Sequence, residues 1–111
     1  MRVLLKATIP NDAGNRTIRD GSLPTTLQSI IADLKPEAAY FLAEDGKRSG
    51  FFFLNINDAS EIPAIAEPLF LAMNASVSIT PVMNADDLAK AGPAIERAVK
   101  KYGAAAKAQS A

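Results

Sequence analysis

Three polar side chains of the kind that assist proton transfer stand inside β-rich runs of the sequence: Lys6, Tyr40 and Asn55. A lysine that is partly removed from water loses its proton more readily, so Lys6 can act as a base or hold an anionic ligand. Tyr40 and Asn55 can orient a carbonyl or a phenol in a pocket. These three residues are the candidates for catalysis.

Structural roles are open to the same residues. Lys6 can form an ion pair across a subunit interface with a carboxylate such as Glu44, because structural ion pairs also hold partly buried charges. Tyr40 can be an interface aromatic whose hydroxyl is satisfied, and Asn55 can end its strand. On the strand order expected below, the neighbours of Lys6 include Ser78 and Asn55.

Two arginines, Arg16 and Arg19, precede Gly21 in a segment whose conformation the sequence leaves open. Guanidinium groups grip carboxylates in a fork geometry, so the pair can form the mouth of a site for a carboxylate substrate, or it can be solvated surface. Glu44 and Ser78, close to Lys6 in the expected sheet, complete the ligand-binding candidates.

The composition removes several kinds of chemistry. The chain has no His and no Cys, which excludes imidazole bases, thiolate nucleophiles, Ser-His-Asp triads, disulfides and zinc sites. Adjacent carboxylates occur at Glu44-Asp45 and Asp86-Asp87, but magnesium and calcium need more oxygen ligands at defined spacing. We expect neither a metal nor a cofactor.

Length, charge and hydropathy indicate one small domain. The 111 residues carry 12 basic and 12 acidic side chains without a basic stripe, which argues against nucleic-acid binding. No stretch reaches the roughly 18 apolar residues of a membrane span, and the N-terminal apolar run is too short for a signal peptide. We expect a cytoplasmic protein with one domain over residues 1–103 and a mobile tail over 104–111.

The elements that position the candidates follow from hydrophobic spacing and turn residues. Residues 2–9 are expected to form a first strand that Pro10 ends. A helix is predicted from Ser22 to just before Pro36, because its apolar residues recur at helical spacing. The sequence leaves open whether residues 12–20 are helical as well.

Two further β-rich runs, Ala38–Glu44 and Gly50–Ile56, predict a hairpin around the polar linker 45–49. Either Asp58 or Ser60 then offers an N-cap for a second helix, which Pro68 should kink or end.

The C-terminal third predicts one more strand and one more helical region. Residues 75–82 alternate small polar with β-branched side chains, as a half-buried strand does. A helical region is expected from Ala85 to Tyr102, with Pro93 as a restart.

This order, β-α-β-β-α-β, predicts the ferredoxin-like split βαβ arrangement. It is an α+β fold with a four-stranded antiparallel sheet and helices on one face, here followed by a C-terminal helix. Alternation along the strands gives one wholly apolar set suited to burial under helices: Val3, Leu5, Ala7, Ile9, Ala39, Phe41, Ala43, Phe52, Leu54, Ile56, Val77 and Ile79.

The opposite set is mixed and carries Leu4, Leu42, Phe51 and Phe53 among polar residues. Such a patch on a monomer would leave apolar surface in water. A second copy, packed sheet against sheet about a two-fold axis, would cover it with self-complementary chemistry. We therefore expect a homodimer through this mixed face.

The second half of the chain contains motifs that carry a family resemblance. After the strand that starts at Gly50 come Asn57-Asp58-Ala59-Ser60-Glu61, a helix with Glu67-Pro68-Leu69-Phe70, and Ser76-Val77-Ser78-Ile79-Thr80-Pro81-Val82. This stretch resembles muconolactone isomerase-like and YCII-related members of the dimeric α/β barrel superfamily, whereas the first half agrees in topology only. The resemblance implies ferredoxin-like protomers that dimerise.

Members of that superfamily include isomerases, cofactor-free monooxygenases, haem enzymes and proteins without known activity, and fold alone does not fix function. The histidine on which YCII-type and haem-binding sites depend is missing here, as is the Trp often used in the antibiotic-oxygenating members. No catalytic residue is therefore carried over from the resemblance.

We expect a small homodimer that binds a small molecule, aromatic or carboxylate-bearing, in a mostly apolar cleft between sheet and helices. If it is an enzyme, the class expected is a metal-independent isomerisation or a cofactor-free, monooxygenase-like oxygenation assisted by Lys6, Tyr40 or Asn55. The alternative is a non-catalytic interaction or regulatory module of the same fold, whose space between sheet and helices is filled by its own side chains.

Overall fold

A computed structural model describes residues 1–104. Four strands form one antiparallel sheet in the order β2-β3-β1-β4: β1 Arg2–Thr8, β2 Ala38–Glu44, β3 Lys47–Asn55 and β4 Ser76–Pro81. The helices are α1 Asn11–Arg19, α2 Ser22–Leu34, α3 Ile62–Met73, α4 Ala85–Lys90 and α5 Gly92–Ala98. A 3₁₀ turn, Ala59–Glu61, precedes α3, and a π-helical segment, Val99–Gly103, follows α5.

The expected α+β class with a four-stranded antiparallel sheet is confirmed, and the arrangement is compatible with a ferredoxin-like fold. The tail expected over 104–111 lies, apart from Ala104, outside the described residues.

The segment that the sequence left open is helical. Between α1 and α2 the chain turns at Gly21, whose φ of 80° is the left-handed conformation that glycine adopts without strain. The carboxylate of Asp20 accepts a hydrogen bond of 2.8 Å from the backbone N–H of Ser22, and the hydrogen bonds from Ser22 lower the pKa of Asp20. Helix α1 places Ala13, Gly14 and Thr17 in buried positions.

The β2–β3 hairpin is tighter than expected. Asp45 and Gly46 have φ values of 54° and 76°, the two left-handed residues of a type I′ turn, whose twist matches that of the flanking strands. Pairing therefore resumes at once, and β3 begins at Lys47 rather than at the expected Gly50.

Pro68 does not end α3, contrary to one expectation. The helix starts behind a capping box in which Asp58 accepts from the N–H of Ser60 at 3.0 Å and Glu61 accepts from the N–H of Asp58 at 2.7 Å. Leu69 and Met73, one residue and five residues after Pro68, are buried in the core. Their burial holds the helix together across the missing N–H of the proline.

The core lies between the sheet and the helices α1 to α3, on the side of the predicted apolar set. Val3, Leu5, Phe52 and Leu54 of the two central strands are buried there, as expected. Phe41, on the edge strand β2, differs because 56% of its surface is exposed. The helices thus cover the centre of the sheet and leave the hairpin end of β2 open.

Residues 85–103, called the C-terminal arm below, extend from the rest of the structure. None of its side chains is buried, and Leu88, Ile95, Val99 and Tyr102 are exposed. The radius of gyration is 19.2 Å, whereas a compact domain of about 100 residues has one near 13 Å. Apart from its first turn, the arm therefore packs little against the rest of the described chain.

Candidate ligand-binding site

A cavity of about 280 Å³ lies between the sheet and the helices, where the edge strand β2 is open. Helices α2 and α3 form its roof, and strands β1, β2 and β3 form its floor. Two lining residues, Arg48 and Ser49, carry polar side chains. The full lining is Ala7, Ile9, Leu23, Leu27, Phe41, Leu42, Arg48, Ser49, Gly50, Phe52, Leu69 and Met73.

Small residues in one row of the sheet create this space. Phe41, Gly50 and Ala7 are direct neighbours across β2, β3 and β1, so the two central positions of the row carry almost no side chain. A Cβ atom on Gly50 would lie 2.8 Å from the ring of Phe52. Phe41 and Phe52 meet edge to face, with ring centroids 5.8 Å apart. The floor is therefore a recess walled by aromatic rings.

Arg48 is the one charged residue of the cavity wall. It lies on the helix-facing side of β3, and its Nη1 donates a hydrogen bond of 3.1 Å to Oδ1 of Asn15 on α1. A Cβ atom added to Gly14 would come within 2.7 Å of that nitrogen, so α1 passes directly beside the guanidinium. Neither of the two ion pairs formed within residues 1–104 involves Arg48.

Lys6 and Tyr40 lie on the opposite face of the sheet, called the open face below. One row of this face reads Tyr40, Phe51, Lys6 and Ser78 across the four strands. The ammonium of Lys6 lies 3.2 Å from Oε1 of Glu44 and 4.9 Å from the centre of the Phe51 ring. The lysine charge is thus held by a carboxylate and an aromatic face of its own chain.

This geometry bears on the ion pair expected for Lys6. The partner is Glu44, as considered from the sequence, but the pair forms within one chain rather than between subunits. Ser78 lies directly across from Lys6, as expected. Tyr40 is 63% exposed and stands two strands away in the same row.

Asn55 is not a neighbour of Lys6, so that expectation is wrong. The register pairs Lys6 with Phe51 and places Asn55 opposite Arg2, near the far end of the strand. Its Oδ1 accepts a hydrogen bond of 2.8 Å from the N-terminal ammonium of Met1. Beside it, the hydrogen bond and charge of Glu37 raise the pKa of Arg2.

Arg16 and Arg19 are exposed in the last turn of α1, and neither lines the cavity. The structure therefore brings Lys6, Glu44 and Ser78 together on the open face, with Tyr40 in their row. It leaves Asn55, Arg16 and Arg19 elsewhere. None of the seven predicted residues lines the cavity, and their roles in binding or catalysis stay predictions.

Sequence reasoning missed Arg48 and Gly50, although a signal for them existed. In a strand that begins at Lys47, the alternation of side chains places Arg48 and Gly50 on the same side as Phe52 and Leu54. A lone arginine and a glycine on an otherwise apolar, helix-facing strand side indicate a gap with a charged rim.

Residues 1–104 contain no group of three or more acidic side chains placed to hold a metal ion. The same residues include no helix with the length and apolar character needed to cross a membrane. Comparison with protein-family models and with curated proteins finds no match to the chain.

Proposed function

We propose that this chain is a ferredoxin-like protein that acts as a homodimer and binds a small, largely apolar molecule in the cavity between its sheet and its helices. The observation that carries the proposal is the cavity itself. Its volume of about 280 Å³ lies near the lower end of the range found for small-molecule pockets, and its wall is apolar with one charged group.

The strand order and the direction of the strands support the ferredoxin-like assignment. Each neighbouring pair in the order β2-β3-β1-β4 is antiparallel, so β1 and β2 run in the same direction with β3 between them. This interleaving is expected when two βαβ halves are combined in one sheet. The split first helix and the C-terminal arm are additions to that plan.

Two apolar surfaces that the described chain leaves partly or fully exposed support the homodimer. On the open face, Leu4 and Phe53 are adjacent across β1 and β3, and Phe51 and Leu42 lie in the next two rows. The C-terminal arm begins on the same side, since Asp87 and Arg2 line one groove there. A second copy stacked on the open face would cover the patch and receive the arm.

Binding without catalysis is the version that the arrangement favours. The cavity wall offers no carboxylate, lysine or tyrosine to move a proton, and Lys6 points to the other side of the sheet. An isomerase or cofactor-free oxygenase using Lys6 or Tyr40 would need its substrate between the two sheets of the dimer. A non-catalytic interaction or regulatory module is the second candidate, because the open face offers it a docking surface. In that version the space between sheet and helices is filled by the protein's own side chains, and the cavity of about 280 Å³ counts against it.

Native mass spectrometry of the purified protein tests both parts of the proposal in one spectrum. We expect a dimer mass, with extra mass from a retained molecule or, in its absence, an adduct formed on adding 3-phenylpropionate. A monomer at micromolar concentration would contradict the dimer. A dimer that forms no adduct with any small apolar molecule offered would contradict the binding function.

A further inference from the structure

The size of the cavity limits the ligand. An apolar cavity of about 150 Å³ holds one benzene molecule, so about 280 Å³ accommodates about ten heavy atoms. Apart from Arg48 and Ser49, the residues of the wall around that space have apolar side chains or none, and the Ser49 hydroxyl already donates a hydrogen bond to the carbonyl of Lys47. The buried part of the ligand is therefore a short alkyl chain or a single ring.

The polar end of the ligand is inferred from Arg48, whose side chain borders the cavity and whose guanidinium lies beside α1. Arg48 is partly buried, and its hydrogen bond to Asn15 uses one of five guanidinium donors. Both ion pairs within residues 1–104 form on the open face, so no carboxylate of that part neutralises this charge. A guanidinium in this state binds a carboxylate through two parallel hydrogen bonds.

We propose that Arg48 anchors the anionic end of the ligand, and that the ligand is a monocarboxylate of about ten heavy atoms with an apolar body. This inference rests on the binding function proposed above and names the ligand class of the same cavity. The residue that binds the carboxylate is thus Arg48 on the sheet, rather than Arg16 or Arg19, which are exposed on α1.

Calorimetric titration with matched acids and amides tests the assignment. The probes are octanoate and 3-phenylpropionate, which separate a linear from an aromatic body, together with octanamide and 3-phenylpropanamide. The variants are R48M, which keeps an aliphatic stem over Gly14, R48K, which keeps the charge without the fork, and R97M, on the exposed surface of α5, as the control. Circular dichroism and thermal melting confirm that each variant is folded.

We expect the wild type to bind at least one acid more tightly than its amide. R48M should weaken that acid by about 10- to 100-fold, the loss typical of a charge-assisted hydrogen bond, and leave the amide unchanged. The affinity of R48K for the acid should fall between those of the wild type and R48M, and R97M should match the wild type.

Three results would overturn the proposal. Wild-type affinity for the acid in R48M would show that Arg48 does not hold the carboxylate. An equal loss for acid and amide in R48M would assign Arg48 to packing alone. Failure of all four probes to bind the wild type would remove the binding function together with this inference, whereas binding of amides as tightly as acids would remove the inference alone.

Discussion

Replacing Leu69 by Ala should destabilise the fold and should increase the chain length of the carboxylate that binds most tightly. Leu69 is fully buried on α3 and lines the cavity. The substitution deletes three carbons, which at about 0.8 kcal/mol each gives about 2.4 kcal/mol, and the added void brings the loss in stability to about 3–4 kcal/mol. Because the freed volume joins the cavity, about three more ligand carbons should fit.

Leu5 on β1 provides a matched control, because it is equally buried but does not line the cavity. Urea unfolding should show similar losses of stability for L69A and L5A. Calorimetry with linear acids of about 6 to 12 carbons, lengths that bracket the estimated fit, should show a longer best-binding acid in L69A only. L69V, a smaller change, keeps the test usable if L69A unfolds. The same optimum in all proteins would refute the placement of the ligand against α3.

Two further predictions concern the dimer and the pH dependence of stability. F53K places a charge in the open-face patch and should weaken dimerisation by about 10-fold or more, since an unpaired charge is costly to bury. Sedimentation velocity measures the effect, with L71K on the exposed side of α3 as the control. Equal dimer affinity in the two variants would contradict the interface. The hydrogen bonds from Ser60 lower the pKa of Asp58, so its contribution to stability is present above the ordinary carboxyl pKa of 3.8 and is lost as the pH falls through the lowered value. D58N should keep the cap and reduce the fall in the urea midpoint that accompanies a decrease in pH from about 5 to below the carboxyl pKa. An unchanged pH profile would refute that assignment.

The hydrophobic pattern was sufficient to predict the sheet and its buried side. Val3, Leu5, Phe52 and Leu54 are buried where alternation along the strands placed them. Register was harder, because it depends on the turn that joins two strands. The two-residue turn at Asp45 and Gly46 fixes the register of β2 against β3. The register of β1 against β3 pairs Asn55 with Arg2 rather than with Lys6, and it depends on the long connection through the helices, which the sequence pattern does not specify.

The candidate site was less predictable because it depends on a gap in the packing, where small residues leave space between the sheet and the helices. The recess at Gly50 and Ala7 exists only when these two small residues meet in one row, and strand alternation alone does not show this pairing. The exposure of the C-terminal arm also follows from tertiary packing, since Ile95 and Val99 have the spacing of an ordinary core-facing helix.

Fluorescence titration of two single-tryptophan variants tests most directly whether the ligand binds between the sheet and the helices. The chain has no Trp, and Phe41 and Tyr40 are adjacent residues of β2 that point to opposite faces. F41W puts the reporter at the cavity mouth, and Y40W puts it on the open face. We predict that octanoate shifts the emission of F41W to shorter wavelength and leaves Y40W unchanged. A response in Y40W alone, or in neither variant, would contradict the account.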